Sequence, residues 1–359
     1  MDEYFSCRTS NSKVLSNVLT SLCVNQKKEQ SCYVCAEEDS LTISVTSLSK
    51  ATRAKVSMDK DLFEDYQCQY DQSGAAKEGS GGIQFGLSLS TLLDCLTLTS
   101  SPEETSVSIM YDRRDALFRV TLEEAGVQTV CDLSVLVSDD MDDISSGLTS
   151  AFLNAEEEAS IIFKSDALRE AVLELTDTVG ATEVRVEIIG PSRSSTAPSA
   201  SQMLGSAHKL SSVPGGVVFS TVGNVGECEM VMSAESENIF VSFNCSQPRL
   251  VWVYPMTSVQ LGMKALAVAN ETCLRINSDG IMALQHQVET ERRSETYIDF
   301  LMVALDKPRG EQEGNHYREL HNDGVHAGAM GTDGHGSDEE EVDDFARGPF
   351  SSHSFGTGQ

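Results

Sequence analysis

Four bases lie on or beside helix-like patterns and are the side chains best placed to meet phosphate: Lys13, Lys164, Arg169 and Lys264. A set this sparse gives weak, salt-sensitive, sequence-independent contact; the bland alternative is ordinary solvated surface bases. Cys32 and Cys35 have the spacing of a redox or half-zinc motif. They fall in a strand-like run, where residues three apart point to opposite faces, and no second CxxC follows. These two, with Cys95 and Cys273, therefore read as small structural residues. Five of the seven histidines (His316, His321, His326, His335 and His353) are scattered near the C-terminus with irregular spacing, so no metal site is expected. Ser337 precedes Asp338-Glu339-Glu340-Glu341, a pattern that suits an acid-directed kinase as well as it suits an unmodified solubilising tail. Two-metal hydrolysis needs converging carboxylates. The acids here lie in expected loops (Asp112, Asp115), in a central run, or singly on strands, so no catalytic residue is named. Gly79-Ser80-Gly81-Gly82 lacks the Lys-Ser/Thr of a phosphate-cradling loop, and no cofactor is expected.

These groups belong to a chain of 359 residues with 26 Lys+Arg against 55 Asp+Glu, a formal net charge of −29 and 40% hydrophobic residues. That length allows two domains with real cores. A net charge of this sign argues against coating nucleic acid over most of the surface, unless bases are gathered on one face. No stretch approaches the apolar length of a membrane helix, and the start lacks a basic-then-apolar leader. Ten cysteines scattered through apolar segments suit a reducing compartment. Secreted, membrane-spanning and fibrous readings are set aside.

Seven acids between residues 139 and 158, with no base among them, predict a solvated connector. Residues 307–359, rich in Gly, His, Ser and Asp, predict a disordered tail. The polar stretches 71–82 and 191–216 read as surface loops, the second a Ser/Pro-rich insertion. Two bodies remain, 1–138 and 159–306, and both show the same order of patterns. In the first, helices are predicted over 12–22 and 88–97, with strands at 31–36, 41–48, 52–58 and 82–86 and three more at 105–111, 116–122 and 127–135. In the second, a strand at 160–164 leads into a helix at 165–175 that Ser165 is placed to cap. Strands follow at 183–189, 217–222, 227–232, 239–244 and 250–254, then a helix at 257–268 and three strands at 271–277, 280–288 and 297–305. Each helix has one apolar stripe, so helices must cover one face of an antiparallel sheet.

The predicted architecture is α+β: two similar domains, with their four helices along one concave wall. The outermost strands are left as templates for another chain, and the candidates are 127–135 and 227–232. The interface residues on them are Val127, Val130, Leu133, Met230 and Met232.

Specific segments resemble a known family. They are LLDCL at 92–96, LEEAGVQTVC at 122–131, KSDALREAVLEL at 164–175 and FSTVGNVGECEM at 219–230, with weaker echoes in CLRINSDGIMALQH at 273–286 and YIDFLMVAL at 297–305. In this order they resemble the DNA sliding-clamp superfamily and, within it, the Rad-one (Rec-one) subunits of the nine-one-one checkpoint clamp. The insertions at 71–82 and 191–216 and the long tail depart from that pattern. The resemblance implies two clamp domains and a nuclear, non-catalytic subunit of a heterotrimeric ring around double-stranded DNA. Its implied partners are Rad-nine-type and Hus-one-type subunits and a replication-factor-C-like loader, and the ring would act as a platform for checkpoint signalling and repair. It leaves open a metal-dependent 3′–5′ exonuclease activity, with which members of the family have been credited, and a homotrimeric replicative clamp.

Overall fold

Strict apolar alternation marks most strands. In Thr52–Asp59 and Thr296–Val303 every second residue is buried, and in the helix Ser12–Ser21 the buried residues Leu15, Val18 and Leu19 recur at helical spacing. A computed structural model of the chain describes residues 3–23, 29–47, 49–70, 82–114, 116–136, 141–190, 215–290 and 296–305. The N-terminal half runs β1 (Tyr4–Thr9), α1 (Ser12–Ser21), β2 (Ser31–Ala36), β3 (Ser40–Thr46), β4 (Thr52–Asp59), a 3-10 turn, β5 (Asp65–Gln69), β6 (Ile83–Ser88), α2 (Leu89–Leu96), β7 (Ser106–Asp112), β8 (Leu117–Glu124) and β9 (Val127–Ser134). After α3 (Met141–Asn154), the C-terminal half runs β10 (Glu157–Lys164), α4 (Ser165–Thr176), β11 (Glu183–Ile189), β12 (Gly216–Val222), β13 (Glu227–Ser233), β14 (Phe240–Cys245), β15 (Arg249–Pro255), α5 (Met256–Met263), a 3-10 turn at Lys264–Ala267, β16 (Glu271–Asn277), β17 (Ile281–Val288) and β18 (Thr296–Val303).

The two halves repeat one topology. In the first, β5-β1-β7-β8-β9 form a five-stranded antiparallel sheet, and the series β4-β3-β2-β6 is a four-stranded one. In the second, β14-β10-β16-β17-β18 match the former and β13-β12-β11-β15 the latter. The halves are joined where β18 pairs antiparallel with β4, from Thr296↔Met58 to Met302↔Thr52, so that nine strands run as one continuous sheet. Ile298, Phe300 and Met302 of β18 and Ala54 and Val56 of β4 are buried on its inner face. Thr52 Oγ1 shares a buried 2.7 Å hydrogen bond with Ser258 Oγ of α5. The α+β reading stands: the chain has a clamp-type fold of antiparallel sheets with few helices.

Three local readings are corrected. Residues 4–9 and 65–69 are strands, paired with each other as β1 and β5. The first is a short alternation carried by only two buried residues, Phe5 and Cys7; the second is exposed or half-exposed along its length. The central acidic run is not a simple solvated connector, because α3 occupies 141–154. Its middle is uncharged, and Leu148 and Phe152, one turn apart, pack with Ile281, Ala283 and Leu301 of the sheet. Ser165 is the first residue of α4 rather than its cap; its hydroxyl is turned inward to Thr272 at 2.8 Å, and Lys164 holds the cap position without a side-chain cap bond. The 191–214 stretch, residues 71–81 and the tail from 306 lie outside the described residues.

Candidate nucleic-acid interface

The helices form a contiguous row. α1 packs against α2 on one side and against the 3-10 turn that follows α5 on the other, while α4 packs against α5 and the same turn. Local sequence sets each one in place. Asn11 caps α1, its side chain accepting from the Lys13 and Val14 amides, and Ser88 caps α2 by accepting from the Thr91 amide at 3.2 Å. Each helix turns its apolar stripe to the sheets: Leu89, Leu92 and Leu96 in α2; Leu168, Val172 and Leu175 in α4; Val259 in α5. The opposite faces are mostly polar, with Leu173 of α4 an exposed exception.

All four sequence-singled bases are on this row, and each is already engaged. Lys13 forms an ion pair with Glu103, both side chains being largely exposed. Arg169 pairs with Asp166 at 3.0 Å. Lys164 Nζ donates to the Glu237 carbonyl at 2.9 Å. Lys264 Nζ donates to the Cys23 carbonyl and so ties the C-terminal half to the end of α1. Exposed ion pairs of this kind stabilise by about 1 kcal/mol or less, so a phosphate can exchange into them. Arg169 and Lys264 share a groove of about 280 Å³ between α4 and the α5 turn, with Gln260 between them. Acids interrupt the row: Asp94 on α2 and Glu170 and Glu174 on α4 are exposed. The arrangement suits loose, exchangeable contact with a polyanion, not tight seating.

The two strands read as edges are terminal in their sheets, β9 in the five-stranded and β13 in the four-stranded one. Their residues differ in exposure, and on β9 Val127 shares the inward face with Leu133 but lies at its open end, while Val130 shares the outward face with Asp132. Val127 and Val130 are exposed at 67% and 50%, whereas Leu133 and Met232 are buried in the core and Met230 is half-buried against it. Leu133 and Met232 thus brace the edges from within and offer no side chain to a neighbour. The residue that sequence reasoning missed on β13 is Val231, exposed at 47% between Glu227, Glu229 and the inward methionines. The sequence shows only that Met230 and Met232 share one face; that this face covers α4, so that the odd-numbered residues face out, comes from the packing. On β9 the outward Asp132 is gripped by Arg119 of β8 through two bonds, 2.6 and 2.9 Å.

The other chemistry-bearing groups are placed as follows. Cys32 is buried and Cys35 half-exposed, on opposite faces of β2; Cys95 is buried and Cys273 half-buried. Asp112 ends β7 and accepts two bonds from the Arg114 guanidinium, while Asp115, Ser337 and the five tail histidines lie outside the described residues. Among the described residues no group of three His, Cys, Asp or Glu side chains is arranged to hold a metal ion, and no helix is long and apolar enough to cross a membrane. A hydroxyl–imidazole chain does exist: Ser165 Oγ meets Thr272 Oγ1 at 2.8 Å, which meets His286 Nδ1 at 2.9 Å. All three side chains are fully buried, so no substrate reaches them. Burial pushes the His286 imidazole down to about 4, against a smaller upward pull from the Gly262 backbone, and the ring is neutral at physiological pH.

Comparison with known proteins agrees with this geometry. The family described as "Repair protein Rad1/Rec1/Rad17" matches residues 4–288. The chain is 23% identical over 294 residues to the "Cell cycle checkpoint protein RAD1" of Mus musculus, covering 81% of this chain and 88% of that one. It is 24% identical over 315 residues to the "DNA damage checkpoint control protein rad1" of Schizosaccharomyces pombe, covering 82% and 85%. It is 22% identical over 304 residues to the "DNA repair protein Rad1" of Drosophila melanogaster, covering 84% and 94%. With a match that runs from β1 to the end of β17, this chain belongs to the Rad1/Rec1/Rad17 family of repair proteins.

Proposed function

We propose that the chain is a non-catalytic third of a heterotrimeric DNA-damage checkpoint clamp, a nuclear ring closed around duplex DNA by strand pairing between subunits. The observation that carries this reading is the seam inside the chain. β18 and β4 pair, and the strands in the equivalent places of the other half-sheets, β9 and β13, are terminal. The same pairing rule, applied between chains, joins β9 of one subunit to a β13-like strand of the next. Such head-to-tail contacts generate a ring when the rotation closes.

Outward charge favours different partners over copies of the chain. At the internal seam Lys55 of β4 lies opposite Asp299 of β18. At the open edges β13 carries Glu227 and Glu229 where β4 carries Lys55, while β9 carries Asp132 as β18 carries Asp299. Pairing β9 with β13 of a second copy sets acid toward acid, which is unfavourable across a sheet. Basic edges on Rad-nine-type and Hus-one-type subunits fit better, and a replication-factor-C-like loader would open the ring. Inside it, the helix row would face DNA through Lys13, Lys164, Arg169 and Lys264. Encirclement replaces tight binding, so a chain of net charge −29 is tolerated, and its acidity keeps DNA off the outer faces. Ser337 would be a modification site that docks a basic partner domain. With all four bases changed to Glu, light scattering of the chain mixed with its partner subunits should still show a ternary assembly. Retention of the loaded ring on closed circular DNA should fall about tenfold or more. Unchanged retention would remove the helix row from the DNA-facing role, and no assembly with the wild-type chain would remove the ring.

A further inference from the structure

Where α3 crosses the seam it lies on the outer face of the nine-stranded sheet and encloses a cavity of about 140 Å³. Three parts of the chain supply its polar lining: Arg53 and Lys55 from β4, Arg275, Gln285 and Asp299 from the C-terminal half, and Thr149 from the helix. Three bases converge here in a chain whose acids outnumber its bases 55 to 26. The register explains the convergence, because Arg53 lies across from Leu301, Leu301 from Ala283 and Ala283 from Arg275, while Lys55 lies across from Asp299 one row away.

The cations are incompletely answered. Arg53 donates to Thr149 Oγ1, yet its Nε is buried with no acceptor among the described residues, and the same holds for Arg275 Nε. Arg275 stacks over the Phe152 ring at 5.2 Å, and its ion-pair partner Glu157 is 3.8 Å away. Among the described residues Asp299 is the only acid in the lining. It accepts from Gln285 Nε2 at 2.9 Å, and burial pushes its carboxyl up toward the neutral form. Buried guanidinium donors are costly without acceptors, and their planar fork matches the oxygens of phosphate. The space suits one tetrahedral anion and is too small for a stretch of nucleic acid or peptide.

We propose that this cavity binds a phosphate-type oxyanion, held by Arg53, Lys55, Arg275 and the Thr149 hydroxyl, and that occupancy fastens the connector helix across both halves. The test is thermal unfolding of the full chain titrated with sodium phosphate against sodium chloride at equal ionic strength. The wild type should show a saturable rise of roughly 2–4 °C that chloride does not reproduce. Lys55→Gln and Arg275→Gln should each abolish the rise, while Lys13→Gln, outside the cavity, should keep it. Should Arg275→Gln not fold, Lys55→Gln carries the comparison, since Lys55 is half-exposed on β4. No saturable rise in the wild type, or an equal rise in both cavity variants, overturns the proposal.

Discussion

The two halves of the molecule share a strand order but not a chemistry. In the N-terminal half the outermost strand of the four-stranded series, β4, faces out with Arg53 and Lys55 and is engaged by β18; in the C-terminal half the equivalent β13 faces out with Glu227 and Glu229 and ends its sheet. Beneath the helices the contrast recurs. Ser12 and Ser165 begin α1 and α4, their amides donating to the Thr105 and Asn270 carbonyls at 3.1 and 2.9 Å. Two residues further on, the N-terminal half places Val107 opposite Leu122, and the C-terminal half places Thr272 opposite His286. One half seals this layer with hydrocarbon and the other with a buried polar chain. Duplicated topology therefore fixes where edges and helices fall, while side chains decide which edges close within the chain and which half responds to acid.

The largest expected effect tests the closed seam. Phe300→Ala empties a fully buried site on β18 and should cost about 3–5 kcal/mol, read as a fall in the urea midpoint; Val130→Ala on open β9 should stay within about 0.5 kcal/mol. Equal effects would erase the distinction between seam and edge. Next comes acid sensitivity. His286 has a folded-state value near 4 against the usual 6.5, so the unfolded chain binds the extra proton first. This contribution is fully present above pH 6.5 and is lost as pH falls toward 4, up to about 3 kcal/mol. Urea unfolding at pH 7.5 and 4.5 should show that loss in the wild type and a smaller one in His286→Gln. An unchanged slope would make the acids responsible instead. The smallest effect on stability, but a sharp one on assembly, belongs to β13. Glu227→Lys with Glu229→Lys makes it resemble β4 and should leave the urea midpoint within about 0.5 kcal/mol. Light scattering should now reveal self-association that the wild type lacks.

Elements with dense alternation or a full apolar stripe were legible in the sequence: β4, β18, α1, α2 and α4 fall close to where periodicity puts them. The failures have physical causes. β1 and β5 support each other across the chain, and neither carries enough burial to announce itself. α3 was masked by flanking acids, although its middle is uncharged and apolar at helical spacing. For the candidate surfaces, the four bases were found as types, but their engagement with Glu103, Asp166 and two backbone carbonyls depends on tertiary neighbours. Strand position was also readable, whereas which face of β9 and β13 turns outward required knowing which helix lies beneath. The cationic cavity was invisible because Arg53 and Arg275, 222 positions apart, meet only through four strands of sheet register.

The unbroken sheet has a mechanical corollary. Bending the chain at its middle would tear the seven-rung ladder between Thr52 and Met58, together with the Thr52–Ser258 bond behind it. A chain built this way resists bending at its middle. If, as proposed, such chains close into a ring that parts to admit a double helix, the gap is expected at a boundary between chains and not at this seam.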